Sequence, residues 1–445
     1  MRNLKLTTVV VCVVWVAACN SNGSGGDGTG GMTGAGGMTG VGGDMGGGPG
    51  SGGATGGGGS AGTGDQHWVG SWTASPYLDS GNPPPAALSN GVLRQVTHVS
   101  LGGTRIRVQF SNLVGNGPVT VNATHIALCK ATPVVDSTID TSTDTALAFS
   151  GMASVTIGQG AEVWSDPIDF TVPPLGNISI TTAFGSVPSS LTQHSGSRTT
   201  SYLQTGSSNV SAASMGTAAG QTTDHWFYIS GIDVMADASA MGIVAIGDSI
   251  TDGRGTDTNG NNRWTDVLAA RLQANPATVN VSMMNQGIGA TSLIGSTGTA
   301  AQARFNRDVL GQSGVRYVIV FDGVNDIGGN ATFASMKAAY DDLISRAHAK
   351  GLLIYGATIT PFGGNTGATG YYTVAHEAVR QQVNTYIKSG VFDGYIDFDA
   401  ALTDGGDPPK LQTIYATWAQ MDGLHPGPAG YQKMGDSVDL TLFTR

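Results

Sequence analysis

The sequence predicts a two-part body: an antiparallel β-sandwich or jelly-roll over residues 66–237, then a parallel sheet with helices on both faces over residues 238–445. Three observations carry this expectation. Apolar residues alternate with polar ones in the first part. In the second they form short unbroken runs separated by helical stretches. A chain of 445 residues also exceeds one ordinary core.

Before either part stand two segments of different character. Arg2 and Lys5 precede a run of apolar residues from Leu6 to Ala18, which reads as an export signal over residues 1–18. The run is shorter than the ~20 residues a bilayer span needs. Val16-Ala17-Ala18-Cys19 resembles the lipobox of bacterial lipoproteins, so Cys19 is the expected lipidation site and new N-terminus. Several acyl chains would anchor the protein stably at the cell envelope, and an outer-membrane or cell-surface location is expected. Residues 19–65 are dominated by Gly with Ser, Thr, Met, Ala and Asp, the composition of a flexible tether. As a coil it would reach on the order of 35 to 40 Å. With Cys12 in the signal and Cys19 lipidated, Cys129 is the only remaining thiol, which leaves no intramolecular disulfide and no cysteine-built zinc site.

Within the first part Arg105–Phe110, Val119–Leu128, Glu162–Val172 and Asn177–Phe184 alternate polar and apolar between Gly, Pro or Asn, as half-buried strands do. Trp68, Trp72, Trp164 and Trp226 are read as core packing rather than a sugar-stacking platform. In the second part the runs Ile243–Ile246, Val279–Met284, Tyr317–Phe321, Leu352–Ile359 and Tyr395–Phe398 suit strands covered on both faces. Trp264, Val267, Leu268 and Leu272 share a helical face. Thr332–Lys350 and Tyr371–Ser389 read as helices that end at Gly351 and Gly390. In such an order, reactive loops gather at the carboxyl ends of the strands.

Three of those loops carry chemistry-bearing residues. Gly247-Asp248-Ser249-Ile250-Thr251-Asp252-Gly253 presents a hydroxyl where the chain turns off the first strand. Alone, Ser249 would more often cap the next helix. Asn285-Gln286-Gly287-Ile288-Gly289-Ala290 follows the second strand and Gly323-Val324-Asn325-Asp326 the third. A Gly-rich turn can aim a backbone N–H at a developing oxyanion, and the Asn325 amide can supply another donor. Asp422-Gly423-Leu424-His425-Pro426 spaces a carboxylate three residues from an imidazole. That spacing lets Asp422 fix the His425 tautomer, leaving the other ring nitrogen to take a proton from Ser249.

Together these residues resemble the blocks of the SGNH hydrolase superfamily, the GDSL-type esterases and lipases, from about Gly242 to the C-terminus. The resemblance implies a flavodoxin-like three-layer α/β/α hydrolase domain. It also implies Ser249 as nucleophile, Asp422 and His425 as its partners, and an oxyanion hole drawn from Ser249, Gly287, Ala290 and Asn325. Ile250 stands for the usual Leu after the nucleophile. Ala290 replaces the usual Gly donor, and Ala tolerates fewer backbone angles, so which N–H of the Gly287–Ala290 loop donates stays open. Extracellular carbohydrate esterases with an N-terminal β-domain share the layout.

Other chemistries lack support. The formal charge of -10 opposes nucleic-acid binding. Gly58-Gly59-Ser60-Ala61-Gly62 imitates a nucleophile elbow but lies in the tether with no strand before it. Phosphate-loop and His-Glu-x-x-His patterns are absent, and the remaining histidines, among them His194 and His376, are assigned no role. The expectation is a cofactor-free, metal-free serine esterase acting on an ester, an acylated glycan by preference. A lipase or phospholipase is the alternative, and a non-catalytic glycan-binding surface protein the alternative from another class. Contact with a membrane is expected through the lipid anchor only, and the oligomeric state is not written in the sequence.

Overall fold

In a computed structural model the described residues are 66–131, 134, 136–217, 221–365 and 369–445. The expected export signal, Cys19 and the tether lie outside them.

The first part is a β-sandwich. One antiparallel sheet runs in the order Gln66–Thr73, Ile229–Asp237, Gly103–Ser111, Glu162–Trp164, with Ile168–Val172 also on Gly103–Ser111. The other is centred on Ser201–Thr205, Gly91–His98, Asn177–Phe184 and Val119–Leu128. Their facing side chains share one core that includes Val69, Val108 and Ile232 from the first sheet and Leu93, Val121 and Ile180 from the second. Period two thus reports a sheet with one face inward.

Two strands depart from expectation. Glu162–Val172 is broken into Glu162–Trp164 and Ile168–Val172, with Pro167, which has no N–H to give a ladder, between them. Asn177–Phe184 is buried at every position rather than on alternate ones. Its polar face is covered: Arg94, itself buried, donates to the Thr181 hydroxyl at 2.9 Å and to the carbonyls of Ser137 and Ala212, which belong to loops lying over that sheet. The tryptophans divide as well. Trp72 and Trp226 pack edge to face in the core with ring centroids 4.9 Å apart. Trp68 and Trp164 instead clasp the Arg107 guanidinium, 4.7 and 4.3 Å from their centroids.

The second part is a five-stranded parallel sheet of β1 (Met241–Gly247), β2 (Val281–Gly287), β3 (Val315–Phe321), β4 (Leu353–Ala357) and β5 (Gly394–Ile396), in the spatial order 2-1-3-4-5. This is the flavodoxin-like order, and the expected fold class holds. Successive residues of one strand enter opposite cores. Val244 and Ile246 pack with the helices Phe333–Ala349 and Val374–Ile387; Ile243 and Ala245 pack with Trp264–Ala274 and Pro428–Ser437. Burial on both faces explains the unbroken apolar runs. Thr332 and Thr373 cap the amino ends of two of these helices through their side chains.

β2 is an edge of this sheet, and the strand Gln66–Thr73 lies beside it. Ser282 Oγ donates to the Gly70 carbonyl at 2.7 Å, Thr73 Oγ1 to that of Asn285 at 3.1 Å, and Gly70 N–H to that of Ser313 at 2.9 Å. An uncovered edge would invite pairing with other chains.

The strand ends are tied by a buried ion cluster. Arg304 donates to the carbonyls of Gly247 and Gln286, the last residues of β1 and the penultimate of β2. Asp308 balances it at 3.1 Å, also accepts from Arg307, and takes the Ser75 hydroxyl from the sandwich. Burial opposes the Asp308 charge, but Arg307 and Arg304 hold the carboxyl below its usual range. Removing the anion would strand a buried cation. Asp308→Ala is therefore expected to lower the unfolding free energy by about 3–5 kcal/mol, measured by urea denaturation; a loss under about 1 kcal/mol would show that the cluster does not hold the strand ends.

Candidate active site

β1 ends at Gly247 and the chain turns at once into the single helical turn Ser249–Asp252. Asp248, not Ser249, caps it: its carboxylate accepts the Ile250 N–H at 2.9 Å. The serine hydroxyl is thereby released from the local role it most often has. Ser249 Oγ lies 2.7 Å from His425 Nε2, although 176 residues separate them. His425 Nδ1 lies 2.6 Å from Asp422 Oδ2, and the other Asp422 oxygen accepts the backbone N–H of His425 at 2.9 Å and of Leu424 at 3.0 Å. Hydroxyl, imidazole and carboxylate form one hydrogen-bonded line, as the sequence pattern requires.

The charges suit proton transfer. Burial works against the Asp422 carboxylate, yet the hydrogen bonds from the His425 ring and backbone hold it down to about 2. Burial pushes His425 below the ordinary histidine value; Asp422 opposes this, while Arg254 and Arg198 add to it. The imidazole is therefore neutral at neutral pH, the form that can accept a proton.

A cavity of about 170 Å³ opens beside the hydroxyl, lined by Arg198, Ser249, Arg254, Gly289, Ala290, Asn325, Leu424 and His425. Asn325 is clamped there: Nδ2 donates to the Thr291 carbonyl at 2.7 Å and Oδ1 accepts the Tyr371 hydroxyl at 2.8 Å. An amide has two N–H groups, so one remains for the cavity. Asp326 accepts the N–H groups of Leu293 and Ile294 at 2.7 and 3.0 Å, pinning the loop that carries Ala290.

Of the expected oxyanion donors the structure brings Ser249, Ala290 and Asn325 together and removes Gly287. The Gly287 N–H is spent on Asn285 Oδ1 at 2.8 Å, and the residue is packed under the serine turn, where a Cβ would stand 2.2 Å from the Asp252 nitrogen. Gly287 is thus required for close approach, not donation. Ala290 has φ +59°, the left-handed region that favours Gly. Among the described residues neither its N–H nor that of Gly289 has a hydrogen-bond partner. The Ser249 N–H opens its helix and has no partner within it.

Pattern reading missed several residues that hold the site. His194, given no role from sequence, is buried between the Ser75 carbonyl at 2.9 Å and Asp252 Oδ1 at 3.0 Å, so the sandwich grips the serine turn. Arg198, Tyr371 and Arg304 were equally unmarked. No periodicity or motif encloses them: His194 reaches Asp252 across 58 residues, Tyr371 reaches Asn325 across 46, and Arg304 reaches Gly247 across 57. His376 bonds the Tyr371 carbonyl at 2.8 Å and sits outside the cavity. Cys129 is a free thiol that burial pushes up to about 12, which makes it inert.

Residues 245–433 match the model of the GDSL-like lipase/acylhydrolase family. Among solved structures the chain is similar to a lipolytic protein of the G-D-S-L family from Desulfitobacterium hafniense, with 22% identity over 44% of this chain and 97% of the other, TM-score 0.35. It is similar to a G-D-S-L lipolytic family member from Veillonella parvula, with 21% identity over 46% and 100%, TM-score 0.35. A carbohydrate acetylesterase family member from Sinorhizobium meliloti aligns at 11% identity over 45% and 97%, TM-score 0.36. No curated protein matches the chain. The segment spanning β1 to the final helix, with its serine, imidazole and carboxylate in line, belongs to the GDSL-like acylhydrolases of the SGNH superfamily and is a hydrolase acting on esters.

Proposed function

We propose that the protein is an exported, lipid-anchored serine esterase that removes short acyl groups, acetyl foremost, from an extracellular polysaccharide. The observation that carries the reading is the 2.7 Å contact between Ser249 Oγ and His425 Nε2, backed by Asp422. Ser249 Oγ attacks the ester carbonyl while its proton passes to His425 Nε2. The oxyanion is met by the N–H groups of Ser249 and the Gly289–Ala290 turn and by the Asn325 amide. Collapse expels the alcohol, which takes the proton from His425. Water, deprotonated by the same imidazole, then cleaves acyl-Ser249 to release the acid and restore the hydroxyl.

The cavity supports a small acyl group. A volume of about 170 Å³ admits acetyl, and apart from Ala290 and Leu424 its lining is glycine or polar. A fatty acyl chain needs a long apolar groove, so the lipase alternative is the weaker one. The anchor rests on Val16-Ala17-Ala18-Cys19 alone.

On p-nitrophenyl acetate, Ser249→Ala is expected to abolish turnover without loss of fold, and Asn325→Ala to lower kcat roughly 10²- to 10³-fold. Equal activity in the Ser249 variant would end this assignment. The pH profile follows from His425. The neutral imidazole is the working form and its pKa lies below 6.5, so kcat/KM should be fully developed above that value and fall as pH drops through a lower one. Asp422 stays ionised across this range. An acid limb centred above 6.5 would contradict the buried, neutral base. In a lipoprotein-processing bacterial host, palmitate labelling should reach the wild-type chain and not Cys19→Ser; label in both would refute the anchor.

A further inference from the structure

The sandwich lends the active-site cavity an arginine. Arg198 lies in the loop between the strands Gln193–His194 and Ser201–Thr205, yet it lines the same cavity as Ser249, Asn325 and His425. Its backbone is held at φ +49°, a left-handed conformation that residues other than Gly rarely adopt. The surrounding contacts enforce it. Asn259 N–H donates to the Arg198 carbonyl at 2.8 Å, and Asn259 Oδ1 and Nδ2 bracket Thr200 at 2.7 and 2.9 Å. Arg263 donates to the Ser197 carbonyl at 2.5 Å, and His194, four residues before Arg198, is bonded to Asp252.

Among the described residues no carboxylate lies within ion-pair distance of the Arg198 guanidinium, although against burial its charge joins that of His194 in holding the Asp252 carboxyl below its usual range, and its Nε is buried without a hydrogen-bond partner. Arg254, across the cavity, likewise has no carboxylate; its guanidinium lies 5.9 Å from the Trp418 ring, which packs edge to face on His425. Two arginines without an ion-pair partner thus face one small cavity in a chain of net charge -10.

Resting on the esterase reading, we propose that Arg198, with Arg254, selects esters whose alcohol portion carries a carboxylate: O-acetylated, uronate-bearing glycans rather than neutral ones. A guanidinium presents a planar fork of donors matched to a carboxylate, and its Nε would gain its missing acceptor. The acetyl group occupies the space by Ser249 and Asn325, and the acidic sugar meets the arginines at the rim. Arg198 is on this account a specificity-determining residue.

The test compares 4-acetoxybenzoate with its methyl ester, which differ by one charge, and acetylated polygalacturonate with acetylated xylan. Parallel assays use p-nitrophenyl acetate with wild type and Ser249→Ala. Wild type should favour the carboxylate-bearing member of each pair by about tenfold or more in kcat/KM at low salt. Added salt should shrink that ratio. In Arg198→Gln the ratio should collapse towards one, and Arg198→Lys should keep part of it. Equal rates on both members in wild type, a preference indifferent to salt, or one that survives Arg198→Gln overturns the proposal. Should p-nitrophenyl acetate be cleaved in a Ser249-dependent way while no preference appears, only the selectivity falls; if no ester is cleaved, the esterase reading falls with it.

Discussion

The site depends on one buried guanidinium. Adjacent parallel strands end side by side, and two of their last carbonyls, on Gly247 and Gln286, are the points from which the nucleophile turn and the donor loop depart. Arg304 bonds both at once, fixing their separation at the level of the chemistry. A cation so placed could not persist unbalanced in the interior, so Asp308 accompanies it, and Ser75 and Arg307 complete the hydrogen bonds of that carboxylate. Geometry at the serine is thus secured from beneath the sheet.

Carboxylates in and around the site show how surroundings decide protonation. Asp422 accepts three N–H groups and is held at about 2, ready to orient and stabilise a charged imidazole. Asp248 accepts one, lies wholly buried near Asp326 and Asp252, and is pushed up to about 7 by that burial. Burial likewise raises Asp322 well above the usual carboxylate range, and its Oδ2 has no partner among the described residues. Number of donors against depth of burial separates these groups, one residue type serving as a charged orienter and as a cap for a turn.

Much of this was legible in the sequence because it is local or periodic. Unbroken apolar runs announced the five parallel strands, since residues such as Ile243 and Val244 enter cores on opposite faces. The Asp422 and His425 pair could be read because three residues in a turn suffice for the contact. The alternation over Glu162–Val172 does not make one strand, because Pro167 interrupts it. Asn177–Phe184 deceived differently: its alternation is real, but loops bonded to Arg94 cover the polar face, and nothing within the strand records what lies over it. The family resemblance implies a donor's role for Gly287, whereas the contact that demands glycine there comes from the serine turn.

Residues acting across the two parts left no such trace. His194, which ends a short strand, and Arg198, in the loop after it, belong to a stretch that a boundary near residue 238 would allot to the sandwich, yet one bonds the last residue of the serine turn and the other walls the cavity. A structural need accounts for that intimacy. β2 is an edge strand, and an exposed edge would invite association with other chains; laying Gln66–Thr73 beside it removes the hazard. Once the sandwich is seated there, its loops necessarily reach the carboxyl ends of the strands. Covering the edge and walling the cavity are consequences of one packing arrangement, so a change of residue in the sandwich loop can alter the substrate-facing surface while leaving the hydrolytic line of Ser249, His425 and Asp422 untouched.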